Sequence, residues 1–217
     1  LYSPLEVRVE SKDALPRIAD WLKEAHAVDF LWQTSVNSVE APKLQTSRGT
    51  VHAETVIICP GDDGTTLFAD RIATYEVTRC KLQMLRVAPR NRIDLGTAVM
   101  SDLGLARYLG YAELPEAEPL KARLDREMAV HRENGIHLIV VQSEDGSLVV
   151  GDSHHYSSTP DPFIDKTVND LILGEMETIL DLGPYDISET WIGTYASAPE
   201  MAVHRENGIH LIVVQSE

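Results

Sequence analysis

No stretch of this 217-residue chain approaches the ~18 consecutive apolar residues that a membrane-spanning helix needs. Basic residues are scarce: 19 Lys and Arg stand against 34 Asp and Glu, a formal charge of −15. That balance argues against nucleic acid or an anionic membrane as partner. A small anionic ligand answers to local charge and stays open. Cysteine is nearly absent, with Cys59 and Cys80 each in an apolar, strand-like run. A disulfide between them is formally open; the reading taken is two reduced, buried thiols in a cytoplasmic protein. No phosphate-binding glycine loop and no metal-ligand spacing appears. The chain opens Leu1-Tyr2-Ser3-Pro4, without Met, basic n-region or apolar h-region, so the expectation is a piece cut from inside a longer protein.

What is present, with 43% hydrophobic residues, suffices for a sizeable core. The most distinctive feature is a repeat. MAVHRENGIHLIVVQSE, residues 128–144, recurs unchanged at 201–217. Segments that diverge under selection do not keep seventeen positions identical, and repeat arrays show a period and tolerate drift. The copy reads as an engineered or artefactual duplication, with a recent duplication supplying a spare strand as the alternative. In a strand it would set His210, Ile212 and Val214 on one side and Ile209, Leu211 and Val213 on the other. A sheet slot filled by the first copy cannot be filled twice. The second is expected to add to an exposed edge, to swap or edge-pair into a homo-oligomer, or to stay disordered. Its removal is expected to leave residues 1–200 folded.

Ser11 or Asp13 is expected to cap a helix running to about Ala27. Leu15, Ile18, Ala19, Leu22 and Ala25 form its apolar stripe, and Pro16 lies in its first turn. Short strands follow at 28–32, 34–39, 43–47 and 50–53. The run 55–59, ended by Pro60-Gly61, reads as a strand buried on both faces. Residues 79–87 form another strand, and 103–109 and 117–128 read as helices. Residues 136–143 and 147–151 make a hairpin about Glu144-Asp145-Gly146. Residues 163–182 form the longest helix, stopped by Gly183-Pro184, and 187–195 a last strand that Ser197-Ala198-Pro199 leads out of. The class is α+β, a large, mostly antiparallel sheet flanked by helices.

In order along the chain stand VESKDALPRIADWLKEA, SRGTVHAETVIICPGDD, TRCKLQMLRVAP, GSLVVGDSHHY and ETWIGTYASAPE. This series resembles the D-amino-acid oxidase superfamily of FAD-dependent oxidoreductases, which includes glycine and sarcosine oxidases. It is most similar to a branch that occurs beside phosphonate-breakdown enzymes and is proposed to deaminate an aminophosphonate oxidatively. The resemblance covers nearly all of residues 1–200, and TRCKLQM and WIGTY are its more specific parts. It implies a Rossmann-like FAD domain, opened by a G-x-G-x-x-G turn at a helix N-terminus, interleaved with a substrate domain on a large sheet. Neither G-x-G-x-x-G nor the family's glycine-rich C-terminal segment occurs here. The resemblance therefore implies the middle of such an enzyme. A leading helix and small strands occupy 1–54, a returning strand and turn of the FAD domain 55–63, the substrate domain 64–200, and the duplicate 201–217. FAD is then the cofactor of the parent protein, absent from this chain or weakly held by it.

The resemblance also assigns residues. Pro60 and Gly61 would pass close to the FAD, Gly permitting close backbone approach; an ordinary strand-ending turn is the alternative. Lys81 and Gln83 share a strand face and stand where relatives carry an Arg-Gly-Gln-like stretch beside the flavin ring. A cation there would stabilise the anionic reduced ring; a solvated strand face is the alternative. Trp191, Gly193 and Tyr195 share a face of the last strand, Gly193 toward the cofactor and the two aromatics toward the substrate; an aromatic core stripe is the alternative. Relatives that oxidise amino acids often read W-x-G-x-R here, the Arg pairing with the substrate carboxylate. Tyr195 stands in that Arg's place. The anion is then held elsewhere, by Arg79, Lys81, Arg107 or a His, or the substrate differs. His154 and His155 follow Gly151-Asp152, and one imidazole would line the substrate pocket unless both lie in a surface loop. Adjacent His on extended backbone point to opposite faces, so no metal is assigned. The reaction implied is hydride transfer from a small anionic amine, an aminophosphonate or amino acid, to the flavin, giving an imine that hydrolyses. No catalytic residue is assigned. The non-enzymatic alternative is an isolated substrate-domain fragment without cofactor or turnover.

Overall fold

The computed structural model describes residues 2–5, 7–198, 202–206 and 208–213. The chain divides into two compact units, one drawn from Leu1–Glu76 and Ala198–Gln215, the other from Val77–Ser197. The first opens with helix α1, Ser11–His26. The Glu10 carbonyl starts it, accepting from the backbone N–H of Asp13 at 3.1 Å and of Ala14 at 2.8 Å. No side chain caps it, so neither Ser11 nor Asp13 fills the role expected of it. Pro16 is the sixth helical residue, in the second turn, where its missing N–H removes one intrahelical bond without ending the helix. The apolar periodicity of α1 is as expected, yet none of its residues is buried; Leu15, Ile18 and Trp21 are exposed. Strands β1 (Val36–Glu40), β2 (Lys43–Thr46) and β3 (Gly49–His52) form an antiparallel sheet, and residues 28–32 are not a strand. Strand β4, Val56–Ile58, buries Val56 and Ile58 but leaves Ile57 63% exposed. The apolar run is therefore covered on one face, not two. Helix α2, Ala69–Ala73, follows.

The second unit is built on strand β5, Thr78–Pro89. After it come β6 (Val99–Met100) and the helices α3 (Asp102–Leu105), α4 (Leu109–Ala112), α5 (Glu118–Glu127) and α6 (Ala129–Glu133). The helix expected at 103–109 is split because Tyr108 turns extended, with ψ 122°. Strands β7 (Ile139–Gln142), β8 (Leu148–Gly151) and β9 (His155–Ser157), helix α7 (Lys166–Ile179) and strand β10 (Tyr185–Ser197) complete the unit. The sheet order is β10-β5-β8-β7-β6, with β9 also on β5, and every pair is antiparallel. The hairpin β7–β8 turns where expected, with Gln142 opposite Leu148. Helix α7 starts later than expected, at Lys166, because the Asp165 carboxylate accepts the Thr167 N–H at 2.7 Å as an N-cap. Its Val168, Ile172 and Met176 pack on Leu85, Val87, Val140, Leu148 and Val150 to form the core. Each such aliphatic side chain contributes about 1.5–3 kcal/mol when fully buried. Among the described residues no helix is long and apolar enough to cross a membrane.

The duplicate returns to the first unit. Strands β11 (Ala202–Glu206) and β12 (Ile209–Val213) pair antiparallel, and β12 lies parallel to β4, with Ile209 opposite Val56 and Leu211 opposite Ile58. Edge addition within the chain is thus the outcome seen. Ile209 and Leu211 are buried, as Ile136 and Leu138 are in the first copy. Ala202–Glu206 is a strand, whereas the identical Ala129–Glu133 is helical. The expectations for Pro199 and Val214 lie outside the described residues.

Candidate functional site on the open sheet face

Strand register decides which side chains can meet. In the β5–β10 pair, Cys80, Leu82 and Met84 stand opposite Tyr195, Gly193 and Trp191. Directly opposed residues share a sheet face, so these six lie together. Strand β9 adds Tyr156 opposite Cys80. The other face of β5 carries Lys81 and Gln83, with His155 opposite Lys81, and alternation puts Arg79 there too. Residues assigned to one site from sequence therefore divide. Trp191, Gly193 and Tyr195 are on one face; Arg79, Lys81, Gln83 and His155 are on the other. Pro60 and Gly61 belong to the first unit.

The Lys81–Gln83 face is buried against the segment that leads into α7. Gln83, 1% exposed, donates through Nε2 to the Asp165 carbonyl at 2.9 Å and to Asn169 Oδ1 at 2.8 Å, and its Oε1 accepts the Asp165 N–H at 2.7 Å. Lys81 Nζ donates to Asp161 Oδ2 at 2.9 Å and to the Phe163 carbonyl at 3.1 Å. This face is not solvated. An open recess of about 520 Å³ lies beside it, lined by Lys81, Gln83, His155, Asp161 and Phe163 among others.

The opposite face is half-buried and gathers titratable groups at one end. The β7–β8 ladder continues beyond the strands, His137 N–H reaching the Asp152 carbonyl at 3.3 Å and Asp152 N–H the His137 carbonyl at 3.4 Å. That pairing brings His137 Nδ1 to 3.4 Å from Asp152 Oδ1. His154 packs against His137 with the rings tilted by 39° and their centroids 4.6 Å apart, and it meets Tyr195 edge-on at 6.2 Å. Its Nδ1 lies 2.9 Å from the Gly135 carbonyl, which can only accept, so the ring donates from that nitrogen. The Tyr108 hydroxyl is 3.0 Å from His137 Nε2, and Arg107 donates to the Tyr156 hydroxyl at 2.6 Å. Gly135 is at φ +57°, and a Cβ there would stand 2.8 Å from the His154 Cβ.

Burial sets the charges. It pushes the Asp152 carboxyl up to about 7, against the pull of Arg107. It pushes the His154 imidazole down to about 4, and Arg107 acts in the same direction. At neutral pH His154 is uncharged, so its 4.0 Å approach to Asp152 is not an ion pair. Burial also lowers His155, whose Nε2 is 3.1 Å from Asn134 Oδ1. His137 and Asp152 were not among the residues picked from sequence. The signal was present: the register of the hairpin about Asp145-Gly146, extended three residues beyond Val150, runs His137 alongside Asp152 and Ser153.

In the first unit, the turn after β4 is closed by the Asp63 N–H on the Pro60 carbonyl at 3.2 Å, with Gly61 at φ +64°. Hydrogen bonds from Thr66 and Thr65 hold the Asp63 carboxyl down at about 2. Cys59 is an exposed thiol rather than a buried one, Cys80 is buried, and neither is in a disulfide.

No family model and no curated protein matches this sequence. Solved structures match its fold. L-proline dehydrogenase from P. horikoshii superposes with TM-score 0.66 at 17% identity, over 94% of this chain and 50% of that one. Glycine oxidase from Bacillus cereus ATCC 14579 gives 0.57 at 19%, over 84% and 44%. Iminodiacetate oxidase from Chelativorans sp. BNC1 gives 0.51 at 16%, over 82% and 42%. This chain spans half or less of each. At these identities the likeness is one of fold: mixed helix and sheet about a large antiparallel sheet, of the kind found in these oxidoreductases.

Proposed function

We propose that this chain forms much of the substrate domain of a flavin-dependent oxidoreductase that oxidises a small anionic amine, an aminophosphonate or amino acid. The observation that carries the reading is the composition of the open sheet face, on a fold shared with amino- and imino-acid oxidases and dehydrogenases. Leu82, Met84, Trp191 and Gly193 make a half-buried apolar ledge without a charged side chain, which fits the flat ring of a flavin. Pro60 and Gly61 lie in the first unit and are not part of this face. Lys81 and Gln83, bonded beneath α7, instead shape the recess on the far face. A bound flavin would supply the two-electron acceptor. His154 and Tyr195 would wall the pocket, Trp191 would exclude water, and Arg107 would bring a cation to the substrate's anionic group. A tetrahedral phosphonate does not need the planar fork that a carboxylate takes from Arg, which agrees with Tyr195 in that position. No proton acceptor is required if the amine arrives neutral.

The test is anaerobic bleaching of the flavin in the full-length parent with a substrate panel. Reduction by an aminophosphonate supports the substrate class. Reduction by glycine or D-amino acids alone would overturn that class but keep the amine oxidoreductase. A second reading applies to the 217-residue chain by itself: without G-x-G-x-x-G to hold the pyrophosphate, it is a fragment that binds FAD weakly and does not turn over. Yellow protein with one FAD per chain after gel filtration would sink that second reading.

A further inference from the structure

We propose that His137, Asp152 and His154 form a binding site for one divalent transition-metal ion, with zinc as the favoured occupant. The inference goes beyond the flavin reading and does not depend on it. One ligand atom from each residue can be chosen so that all lie within 4.8 Å of one another, and both imidazoles are buried. Zinc bonds of about 2.0–2.2 Å at tetrahedral angles place neighbouring ligand atoms roughly 3.3–3.6 Å apart. The 3.4 Å between His137 Nδ1 and Asp152 Oδ1 is such a separation. It exceeds the roughly 2.7–3.2 Å of an ordinary N–H···O bond.

Three further observations agree. Asp152 Oδ1 is inaccessible to solvent, yet no hydrogen-bond donor reaches it among the described residues. Burying an unmatched carboxylate oxygen is costly, and a cation would compensate it. Each histidine has its second nitrogen engaged: His137 Nε2 with the Tyr108 hydroxyl, His154 Nδ1 with the Gly135 carbonyl. Such outer contacts fix ring orientation and tautomer in metal sites, and for His154 they leave the Nε2 lone pair for a ligand bond. The backbone is also set, since the His137–Asp152 ladder bonds and the contact of Gly135 with His154 hold the three residues on one end of the sheet.

Two imidazoles and one carboxylate suit zinc or its first-row neighbours, and they offer too few oxygens for calcium or magnesium. Three protein ligands leave a fourth position for water or an anionic oxygen of a small ligand. The local pair His154-His155 cannot share an ion, because His155 faces the other side of the sheet. The long-range partner His137 can.

The experiment is titration of the EDTA-treated 217-residue chain with Co²⁺, read by its visible d–d absorption, followed by displacement with Zn²⁺. One Co²⁺ per chain with the intense bands of a four-coordinate ion is expected. His137→Gln and Asp152→Asn should each weaken binding at least tenfold, and His155→Ala should leave it unchanged. Tyr108→Phe keeps all three ligands and should weaken binding by about tenfold through the outer contact. Should a ligand variant fail to fold, the wild-type spectrum and the Tyr108→Phe affinity decide. Absence of four-coordinate bands in the wild-type chain would overturn the proposal. So would binding that survives in the folded His137→Gln or Asp152→Asn variant, since surface histidines would then be the ligands.

Discussion

The Gln83 side chain makes three hydrogen bonds at 1% exposure, all to Asp165 and Asn169 where the chain turns into α7. Replacing it with Leu keeps the volume and strands the Asp165 N–H and Asn169 Oδ1 in a partly buried place. Net hydrogen bonds are worth about 0.5–1.5 kcal/mol each, and an orphaned buried group costs about 1–3 kcal/mol. Gln83→Leu is therefore expected to lose about 2–4 kcal/mol, read from the urea midpoint with an unchanged slope. A loss below ~0.5 kcal/mol would show that these bonds do not hold α7 in place. Alternation correctly put Lys81 and Gln83 on one face, but sequence could not say which. Leu85 and Val87 make their face apolar, while Leu82 and Met84 do the same for the other, so β5 carries no polar side to mark the outside. The same ambiguity separated Tyr195 from Lys81, although both had been assigned to one site.

Elements with a strong local rule were legible. The β7–β8 hairpin has Asp145-Gly146 at its turn, and α7 has a continuous apolar stripe, although it ends at Ile179, short of the Gly183-Pro184 stop that was expected. Those without such a rule were not. Residues 103–109 carry helix formers but break at Tyr108, and residues 28–32 look strand-like without finding a neighbour. AVHRE is the clearest case, helical at Ala129–Glu133 and extended at Ala202–Glu206. Identical local propensity yields to whichever partner is at hand, here the antiparallel pairing of β11 with β12. The glycine between the halves of the repeat is needed in both settings. Gly135 at φ +57° would set a Cβ 2.9 Å from the His154 carbonyl oxygen, and Gly208 at φ +77° would set one 2.6 Å from that of Glu54. The left-handed backbone alone costs an L-residue about 1–2 kcal/mol. With the clash added, Gly135→Ala is expected to destabilise the second unit by about 2–4 kcal/mol and to displace His154. A thermal melt with the His154 ring resonances followed by NMR checks both. Unchanged resonances would show that the site does not rest on Gly135.

At the scale of the whole molecule, the sheet class was readable from hairpin spacing, whereas the fate of the duplicate depended on an edge no local pattern reveals. Strand β4 is three residues long and has one described parallel neighbour, β12. Ile209 and Leu211 are buried at 8% and 1% exposure in that pairing. At about 1.5–3 kcal/mol for each buried aliphatic side chain, the duplicate contributes a meaningful part of the first unit's stability. None of its described strands pairs with the sheet β10-β5-β8-β7-β6. Deleting residues 201–217 is therefore expected to act on the two units differently, in place of the expectation that all of 1–200 stays intact. The second unit should keep its cooperative thermal transition within a degree or two. In the first unit, the amides of Val56–Ile58 should lose their protection against hydrogen exchange, because the Val56 N–H bonds to the Gly208 carbonyl at 2.9 Å and the strand has lost its ladder. Exchange measured peptide by peptide on the truncated chain separates the outcomes. Protection retained at β4 would show that the copy is a passenger. A lost transition in the second unit would show that the copy supports the sheet as well.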